Sequence, residues 1–239
     1  MEIGVVLPQK LLDFMAAYDG QPITEAQWEK FAAIVECEVN VLKAIAIVES
    51  GGKSAFWVVN DQAGHKVHAP KINFERHTFS GLTGGQYDQT NPDISWRKAY
   101  LSRSKAPVGS PNASLHDKRV DPDDLYDEHQ AYMRLVKAWK LNEAAAIQST
   151  SWGKFQIMGK NHKRCKVGLD DFVAKMCRNE AGQVELLANF IRNQRPLWEA
   201  VKAKDWARIA KYYNGDQYKN YDYDTKLKQA YEKLNRSSA

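Results

Sequence analysis

The chain has 239 residues, enough to bury roughly 70% or more of its unfolded surface around a core. Its hydrophobic content of 44%, with 11% aromatic residues, excludes a disordered polymer. The net charge of +5 favours approach to polyanions without choosing among them, and no basic cluster points to a nucleic-acid binder.

Thr24 to Gln27 has the form of a capping box, and Trp28, Phe31, Ile34 and Val35 follow at helical spacing. A second helix is expected from about residue 40 to Glu49 through Val41, Leu42, Ile45 and Val48, stopped by Gly51-Gly52. Phe56–Val59 and Lys71–Phe74 look like two short strands of one hairpin, with Asp61–Gly64 as the turn. From about Thr78 to Asp124 the chain looks irregular, with Pro92, Pro107, Pro111 and Pro122 in it, and reads as a long excursion over the surface. Helices are expected thereafter over about 124–141, 143–149, a short one after Ser151, 170–176, 181–193, 196–203, 205–212 and 225–234. The pattern is α+β, predominantly α-helical, with one small hairpin. Residues 1–77 carry the first helices and hairpin, 78–142 an inserted lobe that could grip substrate, and 143–239 the helical remainder.

Cys37, Cys165 and Cys177 share no metal-ligand spacing, and an odd count suits synthesis in a reducing compartment. Met1 to Gly20 lacks the charged, apolar and small-residue order of a signal peptide, so the chain is expected to stay in the cytoplasm where it is made. No apolar run of 18 residues suggests a membrane span. His65, His68 and His77 fall within 13 residues, but no acidic or cysteine ligand joins them at a zinc spacing, so neither a metal nor a cofactor is expected.

Three segments carry chemistry. Glu49-Ser50 sits at a helix end before two glycines, where the helix dipole opposes a charged carboxylate. Ser151-Trp152-Gly153-Lys154-Phe155-Gln156-Ile157-Met158-Gly159 sets a polar amide, Gln156, among apolar neighbours that read as core. Lys211-Tyr212-Tyr213-Asn214-Gly215, followed by Tyr218, Tyr221 and Tyr223, suits either a carbohydrate groove or a turn packed on the core.

In that order and at those separations, these segments resemble the lytic transglycosylase and goose-type lysozyme superfamily. More closely, the chain resembles the phage and prophage N-acetylmuramidase endolysins. The resemblance runs from about Ala44 to Tyr231 through I-V-E-S-G-G, K-I-N-F-E-R-H, G-G-Q-Y-D, S-W-G-K-F-Q-I-M-G and Y-Y-N-G. It implies a lysozyme-like fold and cleavage of the β-1,4 bond between N-acetylmuramic acid and N-acetylglucosamine in the peptidoglycan glycan strand. A monomer is expected, and for a phage protein the missing signal peptide suggests release to the wall through a holin-type pore. Glu49 falls on the family's catalytic acid, and the same motifs suggest Ser50, Tyr87, Ser151, Trp152, Gln156, Tyr213 and Asn214 as substrate-binding residues.

Such an acid must keep its proton near neutral pH, so its pKa must rise from about 4.3. A second carboxylate is harder to place. Glu75, closing a strand, is the candidate, against an ion pair that merely holds the hairpin. Asp61 reads as turn chemistry, and Asp88 and Asp93 as loop caps or candidates. Arg76 and His77 suit either substrate carboxylates or structural roles, and Trp57 and Trp152 suit either sugar stacking or packing. Without a second carboxylate the product would be a 1,6-anhydro sugar, as from a transglycosylase, and a non-catalytic wall-binding protein is the remaining alternative.

Overall fold

The computed structural model describes residues 6–52, 54–61, 63–99, 128–216 and 218–237. Residues 100–127, most of the expected surface excursion with Pro107, Pro111 and Pro122, lie outside the described residues. The chain divides into two compact units that do not follow the boundaries at 77 and 142. One comprises Met1–Ala17, Phe56–Trp152 and Gln156–Lys160, the other Tyr18–Ala55, Gly153–Phe155 and Asn161–Ala239.

The first unit begins with a helix absent from the sequence reading, α1 (Gln9–Ala16), which buries Leu11 and Met15. Next come β1 (Phe56–Asn60) and β2 (Lys66–Pro70), which pair antiparallel from Phe56↔Pro70 to Asn60↔Lys66. β3 (Ile72–Phe74) belongs to a second sheet with β4 (Thr150–Trp152) and β5 (Ile157–Met158), in the order β3-β4-β5. The expected hairpin between 56–59 and 71–74 is therefore corrected: β1 turns back directly through Asp61–Gly64 onto β2. Pro70 concealed that strand, because proline is tolerated only at strand ends and edges. The expected short helix after Ser151 is likewise replaced by the β4–β5 hairpin, with Gly153 (φ +70°) and Gln156 (φ 47°) in its turn. Pairing of Ser151 with Asn73 across 78 residues decided this, and such pairing leaves no local periodicity to read. Helix α4 (Arg76–Leu82) enters the segment expected to be irregular from Thr78. α5 (Glu128–Leu141) and α6 (Glu143–Gln148) complete the unit.

Phe74, Phe79, Tyr132, Leu135 and Trp152 are fully buried in this unit. Phe79 lies 5.8 Å from both Phe74 and Tyr87, and Tyr132 donates its hydroxyl to Pro70 O at 2.7 Å. Gly159 passes so close to α6 that a Cβ there would stand 2.1 Å from Ile147 O, so only glycine fits.

In the second unit, α2 (Glu25–Val35) opens with the expected capping box: Gln27 N–H donates to Thr24 Oγ1 and Thr24 N–H to Gln27 Oε1. α3 (Val39–Ser50) ends at Gly51 in the left-handed conformation. The remaining helices are α7 (Leu169–Arg178), α8 (Glu180–Arg192), α9 (Arg195–Ala203), α10 (Trp206–Asn214) and α11 (Tyr223–Ser237). α2 packs on α8, and α3 on α11, which also meets α10. Val41, Leu42 and Ile45 of α3 are buried, so the helix that carries Glu49 is fixed by its own apolar face. Deleting one such side chain costs about 2–5 kcal/mol. Trp198 donates Nε1 to Val35 O at 2.7 Å, and the Arg192 guanidinium lies 3.6 Å from its ring centroid.

Candidate active site

Glu49 stands in the last turn of α3. Its neighbour Ser50 donates its hydroxyl back to Ala46 O at 2.6 Å and accepts from Gly52 N–H at 3.2 Å, closing the helix end. Burial pushes the Glu49 carboxyl up to about 7, against the pull of one hydrogen bond from Asn214 Nδ2 to Oε1 at 2.8 Å. Among the described residues no charged partner offsets the burial, so the carboxyl is a reservoir of a proton at neutral pH.

Asn214 is the last residue of α10 and is followed by Gly215 at φ +88°. Its Oδ1 is buried and has no donor among the described residues. A buried acceptor left so costs about 1–3 kcal/mol, which a bound donor would remove. Tyr213 beside it donates its hydroxyl to Phe155 O at 2.7 Å and meets Phe190 edge-on at 5.9 Å. Burial pushes its phenol well up, with the Glu49 and Cys165 charges adding to the effect. Tyr213 thus anchors the end of α10, whereas Tyr212 and Tyr221 are exposed.

In the other unit, Glu75 occupies the step from β3 into α4. It stands at the position before the first helical residue, yet its side chain does not cap the helix. Instead Asn73 Nδ2 donates to Oε1 at 2.9 Å, and His77 Nδ1 lies 3.4 Å from Oε2. Burial raises its pKa, and the charges of His77 and then Lys160 pull it down. Ser151 Oγ lies 2.8 Å from Gln156 Oε1 and 3.3 Å from Asn73 O. A polar row Gln156–Ser151–Asn73–Glu75–His77 results. Gln156 is held in the left-handed region, a conformation that costs a non-glycine residue about 1–3 kcal/mol and is typical of sites under functional constraint.

Several expected site residues have other engagements. Trp152 is wholly buried and donates Nε1 to Ile147 O at 3.1 Å, so its ring packs and presents no face to a sugar. Tyr87 stacks on Phe79 and donates to Leu141 O at 3.1 Å. Asp88 is buried and accepts from Ser80 Oγ (3.1 Å) and Ser95 Oγ (2.7 Å), while Asp93 pairs with Lys137. Asp61 accepts from the Ala63 and His65 amides, as a turn aspartate does. Arg76, also buried, donates to the carbonyls of Lys98 and Ala99 at 3.0 Å. Asn73 was missed by the sequence reading; its signal was the two-residue alternation that puts it on the face of the strand shared by Glu75.

The N-acetylmuramidase family profile matches residues 38–235, a stretch that holds Glu49, Glu75, Ser151, Gln156 and Asn214. The chain belongs to the N-acetylmuramidase family. It is a glycoside hydrolase of the lysozyme type. The crystal structure of a Burkholderia AP3 phage endolysin matches it with a TM-score of 0.70 at 27% identity, over 92% of this chain and 74% of that one. The muramidase thus has the lysozyme-like fold, helix-rich with small antiparallel sheets. No protein of curated function matches it by sequence.

Proposed function

We propose that this muramidase is an endolysin whose Glu49 protonates the leaving oxygen of the β-1,4 bond between N-acetylmuramic acid and N-acetylglucosamine. The carrying observation is the part-buried, desolvated Glu49 carboxyl, pushed up to about 7 with a neutral amide as its hydrogen-bonding partner. An acid with that affinity still holds its proton at neutral pH and can give it up as the bond breaks. Glu75 takes the complementary task of accepting a proton from the water that completes hydrolysis. Its support is local: Asn73 holds one oxygen, His77 lies 3.4 Å from the other, and the charges of a protonated His77 and of Lys160 oppose the burial that raises it. Ser50, Ser151 and Gln156 are proposed as polar contacts to the glycan. Tyr87, Trp152 and Tyr213 support the fold beneath them. Residues 78–142 are proposed to grip the wall.

No helix among the described residues is long and apolar enough to cross a membrane. Access to the wall is assigned to a separate membrane-opening partner. Mass spectrometry of the soluble products from purified peptidoglycan tests the reading. Reducible muramic acid ends are expected. Ends lighter by one water would make the enzyme a transglycosylase and remove the task given to Glu75, and cleaved peptide stems with intact glycan would overturn the whole assignment.

A further inference from the structure

We propose that Asn214 is a positioning residue with two working ends: Nδ2 occupies Oε1 of Glu49, so that the acid proton resides on Oε2, and Oδ1 accepts a hydrogen bond from an N–H or O–H of the bound glycan. The inference rests on Glu49 being the general acid.

A neutral carboxyl has one strong acceptor, its carbonyl oxygen, and one hydroxyl that donates. The oxygen that takes the amide N–H, at 2.8 Å, is thereby favoured as the carbonyl, and the proton is left to the other. The reverse amide orientation would set Oδ1 against Glu49. That contact repels the carboxylate, or traps the acid proton on the protein and away from the leaving group. The observed orientation instead leaves Oδ1 buried with no donor among the described residues, and a ligand donor explains it.

The amide is held from both sides. Tyr213 is anchored on Phe155 O, and Gly215 N–H returns to Lys211 O at 3.0 Å, so the end of α10 has a fixed register. Among the described residues, the side chains acting on Glu49 are Asn214 and the part-buried phenol of Tyr213, which desolvation keeps neutral over the working range. Polar partners that α2 and α11 supply to the α3 region meet its opposite end. Glu25 bonds to Lys43, Tyr231 to Glu38 and Asn235 to Asn40.

Asn214→Ala and Asn214→Asp test this beside Glu49→Gln. Two readouts are needed: the pH dependence of kcat/KM on purified peptidoglycan, and a carbon-13 NMR titration of glutamate carboxyls, in which Glu49→Gln identifies the Glu49 signal. In the alanine variant Glu49 should titrate above its wild-type value, because its carboxylate has lost a donor. The alkaline limb should move up with it, kcat should fall by roughly tenfold or more, and KM should rise as Oδ1 is lost. The isosteric aspartate keeps an acceptor but places a negative charge beside Glu49, and should move the titration further the same way. An unmoved Glu49 titration in both variants overturns the inference, whatever their activity. Full activity of Glu49→Gln would overturn the acid assignment beneath it instead.

Discussion

The ends of α3 and β3 each present a glutamate that burial pushes towards its protonated form, but the two settings differ in what opposes that push. At Glu49 the opposition is one neutral amide, and the carboxyl is pushed up to about 7. At Glu75 burial also wins and the carboxyl is raised, but charge opposes it, from His77 when that ring is protonated and from Lys160, with Asn73 steadying one oxygen. The lesson is that burial alone does not assign a role. A desolvated carboxyl without a charge beside it holds its proton most firmly, and positive charge nearby weakens that hold.

The largest test of that contrast is Glu49→Gln. Loss of the proton donor should lower kcat by about 10²–10⁴-fold with the fold intact, measured as release of soluble products from peptidoglycan. Glu75→Gln comes next. A drop of about 10²-fold or more is expected, and unchanged circular dichroism would separate chemistry from misfolding. Near-wild-type rates would return Glu75 to a structural role.

Stability sharpens the comparison further. With a folded pKa above the unfolded one, Glu49 binds more protons in the native state, so its contribution is full below about 4.5 and is lost as pH rises to about 7. Glu49→Gln, which cannot ionise, should therefore gain up to about 3 kcal/mol over the wild type at pH 8 and little at pH 4, by urea denaturation at each pH. An equal offset at both pH values would contradict the burial account of this carboxyl.

The smallest effect concerns His77. Replacing it by asparagine removes a side chain that favours ionised Glu75 when protonated, so the acid limb of the pH profile should move to higher pH while the alkaline limb stays. The side chain of His77 is 41% exposed, so solvent screening keeps this shift modest. Movement of the alkaline limb instead would mean that the two carboxyls had been given each other's roles.

Much of this was legible along the chain. The capping box of α2, the run of α3 to its glycine stop, and most helices after residue 140 follow from apolar spacing and end signals, which act over a few residues. Glu49 stood out for the same reason, since the helix that displays it announces its own C-terminus. Local chemistry also placed Asp61 in its turn.

Tertiary structure alone decided the rest. Whether β1 pairs with Lys66–Pro70 or Lys71–Phe74, and whether Ser151 lies in a strand or a helix, depends on hydrogen bonds to distant segments. The burial of Trp152 and the engagement of Tyr87 and Tyr213 with backbone carbonyls were equally hidden, because an aromatic residue reads the same on a core and on a sugar site. So were the partners of the two carboxyls. Asn214 meets Glu49 across 165 residues of chain, and an acid's proton affinity is set by what folding brings beside it.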